Sequence, residues 1–467
     1  MKTQKGSVKK AGLGYIIGNY FIRGIGFLTL PIFSRLMLPE EFGKYNTFIS
    51  YGTILFVFIG VAFHTSYKNA FNKYDSEFNN YVSNTLLLCL INTVLFMVLA
   101  IFIPFFFPKF HLSYLFLLVL YSSATAIIAY YNSYVSLFYR SASYVKIAAI
   151  SAIGNIGLSL VLLLTVFRDD RSTGRIIGTV LPTIVIAIIL IYYFFKQSLP
   201  NFDKKQISFA LKYSIPLVPH GISQVMLSSL DRIMIASLIG NSQAGIYSFA
   251  YTIYSLISVT FSSLDTVWSP WFFQTFKNKD FNAIKKVANQ YSFGIAIFTI
   301  LTMLGAPELI SILGSQAYND SINIVIPIVI GGFFSFMYSF PAVVEYYFEK
   351  TGYIATGTLL SALINFLLNL FFLKLFGYKA AAYTTLVTYG LYFIYHYIIS
   401  RRLLKDNKLY DTRTFILIIV LVMLSGIVIQ IILPLVVLRW TILIILGLYF
   451  VYYLSKTLNI NVIKNRK

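Results

Sequence analysis

Charged side chains are scarce in this chain of 467 residues. Only 11% of the residues are Asp, Glu, Lys or Arg, whereas 58% are hydrophobic and 18% are aromatic. A soluble globular protein of this length needs far more polar surface to cover its core. The composition therefore excludes a soluble chain and predicts an all-α polytopic membrane protein.

Cysteine and histidine are scarce as well, with one and four residues respectively. The single cysteine, Cys89, lies in an apolar run, which excludes disulfides and cysteine-rich metal sites. The sequence also has no Gly-rich phosphate loop with its lysine, no HExxH and no GxSxG. We therefore expect no catalytic residue, no metal and no cofactor, and a transporter that is not driven by hydrolysis within this chain.

Long apolar runs are what the sequence has instead. Windows of roughly 20 apolar residues predict about fourteen transmembrane helices. They lie near 11–37, 45–63, 83–107, 112–135, 147–167, 176–195, 213–238, 247–268, 291–313, 322–348, 353–375, 380–399, 415–433 and 440–458. The first run is too long for the apolar part of a cleavable signal, so the N-terminus is expected to be retained. No loop is long enough for a folded soluble domain.

The basic residues predict the orientation, because Lys and Arg collect in cytoplasmic loops. With the N-terminus inside, 26 of the 37 basic residues fall in inner segments and 9 in outer loops. Both termini are then cytoplasmic. The net charge of +21 reflects this topology and an attraction to anionic lipid headgroups. Nucleic acid is a poor alternative partner, since the basic residues are spread along short loops.

An internal repeat is suggested by two pairs of short matches. Gly43–Tyr45 and Gly245–Tyr247 follow the first and seventh spans at an offset of 202 residues. Segments 140–144 and 350–353 precede spans that carry asparagine, at offsets of 209 to 210. The matches predict two six-helix lobes in parallel pseudo-repeat, an arrangement that encloses a central site. Chance recurrence of Gly and Tyr at helix starts is the alternative.

The repeat divides the chain into an N-terminal lobe at 1–200, a C-terminal lobe at 201–405 and two additional C-terminal helices at 406–467. Spans thirteen and fourteen contain no acidic residue, and their basic residues are confined to the edges, with Arg439 at the outer edge and Lys456 at the inner end. These two helices are predicted to face lipid, with a groove for a hydrophobic tail as one use.

Arg23 lies near the middle of the first span, ahead of Gly24, Gly26 and Pro31. These three residues weaken the helix and let it bend, which suits the wall of a cavity that changes shape. A guanidinium at that depth binds phosphate or pyrophosphate through charge-assisted hydrogen bonds. The alternative is a structural pairing of Arg23 with a carboxylate.

Asp231 and Arg232 are adjacent charges inside the seventh span. Neighbouring residues on a helix point about 100° apart, so these two side chains do not pair closely with each other. Each needs another partner. A structural ion-pair network and ligand binding are both open for them.

Asp265, Glu345 and His64 fall near the inner ends of their spans. Such groups can titrate and couple transport to protons. The alternative, which we favour, is that they reach cytoplasmic water or basic side chains of the neighbouring loops.

Two stretches carry a family resemblance. The first is PIFSRLMLPEEFGKY at 31–45; the second combines YSIPLVPH at 213–220, DRI at 231–233 and GIY at 245–247. They resemble the Wzx-type polysaccharide flippases, whose first hairpin typically reads P-x-x-x-R followed by P-E-E/D-F/Y-G-x-Y. The resemblance covers about the first 400 residues and is specific to the family, not to a substrate.

The resemblance implies membership of the superfamily that also holds the multidrug and toxin extruders and the lipid II flippases, with two six-helix lobes around a cavity that opens alternately to each side. It implies transport of undecaprenyl-pyrophosphate-linked oligosaccharide across the bacterial cytoplasmic (inner) membrane. Basic cavity residues are assigned to the pyrophosphate in that family, and Arg23 and Arg232 match by position. The implied partners are the lipid-linked oligosaccharide, membrane lipids, a polysaccharide polymerase and glycosyltransferases.

Three alternatives remain at this stage. A multidrug extruder of the same superfamily would favour an acidic and aromatic cavity, which Arg23 opposes. A membrane glycosyltransferase or polymerase usually carries a large external loop, which the sequence lacks. A non-catalytic scaffold for envelope assembly is compatible with the sequence.

Overall fold

The computed structural model describes residues 24–405 and 409–464, without the side chains of residue 256 and residues 458–464. Throughout these ranges the chain forms α-helices joined by short turns, and no strand occurs in them. Within these ranges the predicted spans lie on helices, two of them interrupted, and ten helices of the described part are long and apolar enough to cross a membrane. The expected all-α polytopic fold is confirmed, and the chain is a multi-pass membrane protein.

The chain divides into two compact units after Gly245. The lobe boundaries predicted from the repeat differ from this division and stay a prediction. The helices of the first unit are α1 (Gly24–Leu36), α2 (Pro39–Gly60), α3 (Tyr67–Tyr74), α4 (Phe78–Phe106), α5 (Leu112–Leu137), α6 (Ser141–Leu164), α7 (Arg171–Gln197), α8 (Lys204–Ser214) and α9 (Val218–Leu238). The next helix, α10 (Asn241–Lys277), begins in this unit and continues into the second.

Short polar contacts fix the packing of the first unit, where α5 lies against α2, α4 and α7. The hydroxyl groups of Thr93 on α4 and Ser123 on α5 lie 2.7 Å apart, and Ser122 donates to the carbonyl oxygen of Gly52 at 3.0 Å. Small hydroxyl residues let helices approach closely in lipid, where the hydrophobic effect does not hold helices together. These contacts therefore supply specificity that the apolar surface cannot.

Prolines interrupt the predicted seventh span. The sequence predicts one helix over 213–238, whereas the structure has α8, a 3₁₀ turn at Ile215–Leu217 and then α9. Pro216 and Pro219 lack the N–H group that a continuous helix would need, so the chain bends there and restarts. The chain therefore kinks at the prolines, and the start of the long helix is corrected to Val218.

The second unit consists of the rest of α10 and seven further helices. They are α11 (Phe281–Leu313), α12 (Ile322–Met337), α13 (Ser339–Tyr347), α14 (Thr351–Phe376), α15 (Lys379–Leu403), α16 (Thr412–Ile432) and α17 (Val436–Lys464). Within it, α15 packs on α12, α13 and α14, while α11 packs on α12, α16 and α17.

The predicted tenth span, 322–348, is two helices with a break at Tyr338. Pro341 has no N–H to donate to the carbonyl of Met337, and its ring crowds that carbonyl, so α12 cannot continue. Backbone bonds resume with Ala342 donating to Tyr338 at 3.0 Å. The break creates the separate helix α13, which carries Glu345.

An ion pair attaches the last two helices to α11, which the sequence did not predict. Arg439, at the start of α17, is 3% exposed. It makes a two-pronged ion pair with Glu308 of α11, in which Nη2 and Oε1 are 2.5 Å apart. Trp440 donates to the same carboxylate at 3.1 Å. Arg439 is therefore a buried anchor and not a residue at a lipid-facing edge, although most other side chains of α16 and α17 are accessible.

The repeat predicted from the glycine motifs has a direct structural counterpart. Gly43 lies on α2 and Gly245 on the second turn of α10, and the two backbones touch. A Cβ added to Gly43 would lie 1.8 Å from the carbonyl oxygen of Asn241, and one added to Gly245 would lie 1.8 Å from that of Pro39. Both pairs are related by the same offset of 202, so the contact is self-complementary, as equivalent copies of one motif require.

Candidate functional site

A polar stripe runs along α9, the helix that restarts after the prolines. Gln224 and Ser228 are exposed and Arg232 is partly exposed, at successive intervals of four residues, so the three side chains share one face. Arg232 donates from Nη1 to the carbonyl oxygen of Ser228 at 3.0 Å. A guanidinium on a face of this kind requires water or a polar ligand and not acyl chains.

Asp231 lies on a different, buried face of the same helix. It is 2% exposed and lies among Leu227 and Ile235 on the buried face, and α9 packs against α2. Asp231 and Arg232 therefore point apart, as their adjacent positions predicted. Of the two, Arg232 is the more accessible side chain.

A second polar stripe lies on the part of α10 that belongs to the second unit. Its members are Ser255, Ser258, Ser262 and Thr266, of which all but Ser258 are exposed. Each hydroxyl donates to a carbonyl oxygen of its own helix, at 2.6 to 2.9 Å. With the protons used in this way, each hydroxyl oxygen keeps the capacity to accept a further hydrogen bond. Asp265, half-buried, lies within this stretch.

Arg23 lies outside the described residues, so its predicted role stays a prediction. Arg175 of the first unit counts among the basic residues of the predicted outer loops, but the structure places it in a helix. Arg175 lies in α7 with its guanidinium carbon 3.4 Å from the centre of the Phe33 ring and 5.0 Å from that of Tyr45. Its Nη1 has no hydrogen-bond partner within the described ranges. Two arginines, Arg171 and Arg175, therefore follow Asp170 within the first turns of α7.

His64 is packed against aromatic rings in the first unit. It lies in the turn after α2, half-buried, with ring centres 6.3 Å from Phe56 and 6.1 Å from Tyr130. Its Nδ1 has no hydrogen-bond partner among the residues that the structure describes. It therefore does not contact a basic loop residue through that nitrogen.

Glu345 has a partner that the sequence reasoning missed. Its Oε1 lies 2.7 Å from Nδ1 of His396 on α15, and both side chains are fully buried. The expectation that Glu345 reaches cytoplasmic water is wrong, because the break at Tyr338 leaves α13 packed against α15. A signal was present: each residue is an ionisable group near the inner end of an otherwise apolar span.

The outer ends of four helix pairs of the first unit surround a cavity of about 670 Å³. Carboxylates, two lysines and polar groups line it, among them Glu41, Lys109, Asp170 and Asn241. Thr47 also lines it and is 8% exposed, with a hydroxyl that has no hydrogen-bond partner in the described part of the chain. The lining residues come from loops that the predicted topology puts on the outer side, so the structure brings those loops together.

No metal site is formed by the described side chains, since no three of their His, Cys, Asp and Glu residues are grouped closely enough to hold an ion.

Sequence comparison assigns residues 8–276 to the family described as "Polysaccharide biosynthesis protein". This match spans more than half of the chain. A comparison with curated protein sequences gave no match.

Several solved transporters share the fold. The chain is similar to the lipid II flippase MurJ in an inward closed conformation, with a TM-score of 0.73 and 16% identity over 95% of this chain and 99% of that one. It is also similar to a multidrug resistance MATE family transporter of the MOP superfamily in an inward-facing conformation, with a TM-score of 0.60 and 14% identity over 82% and 96%. A MOP superfamily transporter from Pyrococcus furiosus gives 0.53 and 15% over 86% and 96%. These likenesses establish the fold, which is the one expected from the sequence.

Proposed function

Because this chain belongs to the family of polysaccharide biosynthesis proteins, we propose that it is an inner-membrane flippase for undecaprenyl-pyrophosphate-linked oligosaccharide repeat units. It would pass them to the outer leaflet for assembly of a surface polysaccharide such as O-antigen, capsule or exopolysaccharide. The proposal is supported most directly by the stripe of Gln224, Ser228 and Arg232 along α9. This stripe offers a cation and hydrogen-bonding groups on one accessible face of a membrane helix.

The chemistry of the cargo explains why such a face is needed. Sugars and phosphates lose their water in hydrocarbon, which costs several kcal/mol for each unpaired polar group, roughly 2–7 by transfer data. Arg232 would replace water around the pyrophosphate through charge-assisted hydrogen bonds. The hydroxyl oxygens on α10 would accept from sugar hydroxyls in the same way. We further propose that both termini of the chain lie in the cytoplasm.

The polyprenyl tail needs a different surface. An apolar groove of about 420 Å³ lies where α11, α16 and α17 meet, lined by residues such as Phe293, Leu417, Leu421 and Tyr453. We assign the tail to this groove, which keeps the lipid in hydrocarbon while the headgroup crosses. The assignment follows the expectation that the last two helices serve the hydrophobic part of the cargo.

Alternating access would require the outer side to open and close. The backbone contact of Gly43 with Gly245 holds the outer end of α2 against the beginning of α10. Separation of these two segments would admit the headgroup to the outer leaflet, and their contact would return the site to the inner side. In this scheme the ligand shifts a pre-existing equilibrium between the two arrangements.

A drug extruder is less well supported. Both flippases and extruders share this fold, so the fold does not select the cargo. The accessible charge on α9 is cationic, and it would repel the cationic amphiphiles that extruders export.

The test is replacement of Arg232 in the host, with lipid extraction and mass spectrometry of the undecaprenyl-pyrophosphate oligosaccharides. Arg232→Ala should insert normally, reduce surface polysaccharide at least about tenfold, which corresponds to about 1.4 kcal/mol, and cause the lipid-linked repeat unit to accumulate. Arg232→Lys should keep part of the activity if charge alone is needed. Arg168→Ala, which removes an exposed arginine whose Nε donates to the carbonyl oxygen of Leu164 at the end of α6, is the matched control. Normal polysaccharide in Arg232→Ala would remove this residue from the mechanism.

A further inference from the structure

Two ionisable side chains are enclosed together in the second unit. Glu345 of α13 and His396 of α15 are both 0% exposed, and Oε1 lies 2.7 Å from Nδ1. Their other polar atoms, Glu345 Oε2 and His396 Nε2, have no hydrogen-bond partner within the described ranges. The pair thus retains unused hydrogen-bonding capacity at both ends, which a purely structural pair normally fills.

The surroundings are aromatic. Rings of Tyr338, Tyr392 and Tyr395 lie 5.6, 4.5 and 5.1 Å from the imidazole centre. On the side of Nε2 the ring meets the backbone of α14, because a Cβ added at Gly357 would lie 2.8 Å from that nitrogen. This close approach needs glycine and fixes the ring in place.

Other titratable and charged groups lie on the elements around the pair. They are Tyr346 on α13, Asp265 on α10, and the exposed Glu349, Lys350 and Arg401 at the inner helix ends. Asp265 acts electrostatically on Tyr338 and Tyr346, and Glu345 acts on Tyr346 and Tyr392. The charged partner that acts on Glu345 itself is His396.

The number of protons on the pair decides its charge. With one shared proton, the two groups are neutral overall, either as carboxyl and imidazole or as carboxylate and imidazolium. Without it, a carboxylate beside a neutral imidazole leaves one full negative charge in a site closed to water, which is strongly disfavoured. Because the two groups interact directly, the proton belongs to the pair and not to either residue.

We propose that Glu345 and His396 together bind one proton and couple transport to the proton gradient. This inference rests on the proposed flippase function. The occluded pair holds the proton between Oε1 and Nδ1. The proton is taken up from water on one side and released to water on the other, and the deprotonated pair returns in the step in which the bound cargo crosses. One proton therefore crosses for each cycle.

Infrared difference spectroscopy of the whole chain in lipid nanodiscs tests proton binding without any substrate. A pH step should change a carboxyl band and an imidazole band in one joint titration. Glu345→Gln should remove the carboxyl band and separate the imidazole band from that step, and His396→Asn should do the converse. Gly357→Ala, which pushes the ring from its place, should uncouple the two bands while both persist. Glu349→Gln, an exposed carboxylate four residues on, is the control and should leave the joint step unchanged.

Bands that titrate independently in the unaltered chain, or a joint step that survives Glu345→Gln, would overturn the proposal. Either result is independent of what the protein transports.

Reconstituted vesicles with a labelled undecaprenyl-pyrophosphate oligosaccharide test the coupling. With one proton per cycle, the accumulation ratio should rise about tenfold for each unit of imposed pH difference, since tenfold corresponds to about 1.4 kcal/mol. Glu345→Gln should exchange the probe without responding to the gradient. If the unaltered protein moves the probe but ignores the gradient, the coupling proposal fails while the proposed function stands. If it never moves the probe, the proposed function fails, and the coupling assigned here fails with it.

Discussion

Gly43 and Gly245 contact each other through their backbones, with the Cβ position of Gly43 2.8 Å from the nitrogen of Gly245 and that of Gly245 3.0 Å from the nitrogen of Gly43. The reciprocal distances are nearly equal although the residues are 202 positions apart. A contact of this kind excludes any side chain at either position, because the atoms in the way are backbone and cannot move aside independently.

Replacement of either glycine by alanine should therefore disfavour the arrangement in which α2 touches α10. We expect Gly43→Ala and Gly245→Ala to make the outer cavity more accessible and to impair transport. The measurement is the rate at which an impermeant maleimide labels a cysteine placed at Ser237, which is exposed and lines that cavity, in a Cys89→Ser background.

The control is Gly157→Ala, since a Cβ there meets nothing within 4 Å. It should leave the labelling rate unchanged. A Gly43→Ala protein that labels as slowly as the control would contradict the assigned role of this contact.

The ion pair of Arg439 with Glu308 should matter for stability more than its place near the end of the chain suggests. Arg439→Leu leaves a carboxylate that is 27% exposed without its hydrogen-bonding cation, so we expect a loss of about 1–3 kcal/mol in the free energy of unfolding. Thermal unfolding of the two proteins in detergent measures this loss of stability.

The double variant Arg439→Leu/Glu308→Leu separates pairing from packing. Because it removes both charges, it should regain part of the lost stability. If the double variant lost more free energy of unfolding than the two single variants together, the ion pair would not be the cause of the lost stability.

The environment of Asp170 predicts that the stability of the fold depends on pH. It caps α7, accepting from the backbone N–H of Thr173 at 3.2 Å. Partial burial raises the pKa of Asp170, but hydrogen bonds from Thr173 and Ser172 and the charge of Lys44 outweigh this and hold that pKa below the ordinary value of 3.8. A depressed pKa in the folded state means that the carboxylate stabilises the fold above pH 3.8, and that this contribution is lost as pH falls through the lower folded value.

Asp170→Ala should accordingly cost about 1 kcal/mol at neutral pH, and the difference from the unaltered chain should shrink on acidification below pH 3.8. Amide hydrogen exchange in the first turn of α7 measures this loss of stability locally. Asp170→Asn keeps a capping oxygen and should show a smaller loss with little pH dependence. A loss in Asp170→Ala that is the same at every pH would refute the electrostatic account.

Hydropathy predicted the helices because lipid demands long apolar segments with internal hydrogen bonds. It could not predict the separate α13, since a break in a span leaves the mean hydropathy unchanged and is visible only through Pro341. The same holds before α9, where Pro216 and Pro219 interrupt a span that hydropathy predicts to be one helix. Glycine spacing revealed the repeat because a backbone contact tolerates no other residue.

The candidate site was less accessible to the sequence. Arg232 could be chosen because a charge within a span is costly wherever it points. The pairing of Glu345 with His396 joins residues 51 positions apart on helices that are not adjacent in the chain, and depth alone does not decide which helices pack together. Arg439 was misjudged for the same reason, as its partner on α11 is 131 residues away.

The account depends on movement of a pyrophosphate-linked sugar across the bilayer by this chain. The most direct measurement is translocation in vesicles that contain only the purified protein and a labelled undecaprenyl-pyrophosphate oligosaccharide, followed by a sugar-modifying reagent that reaches one leaflet. Loss of the protected pool with the unaltered chain, and its persistence with Arg232→Ala, is the predicted result. Equal protection in vesicles with and without the protein would contradict the account.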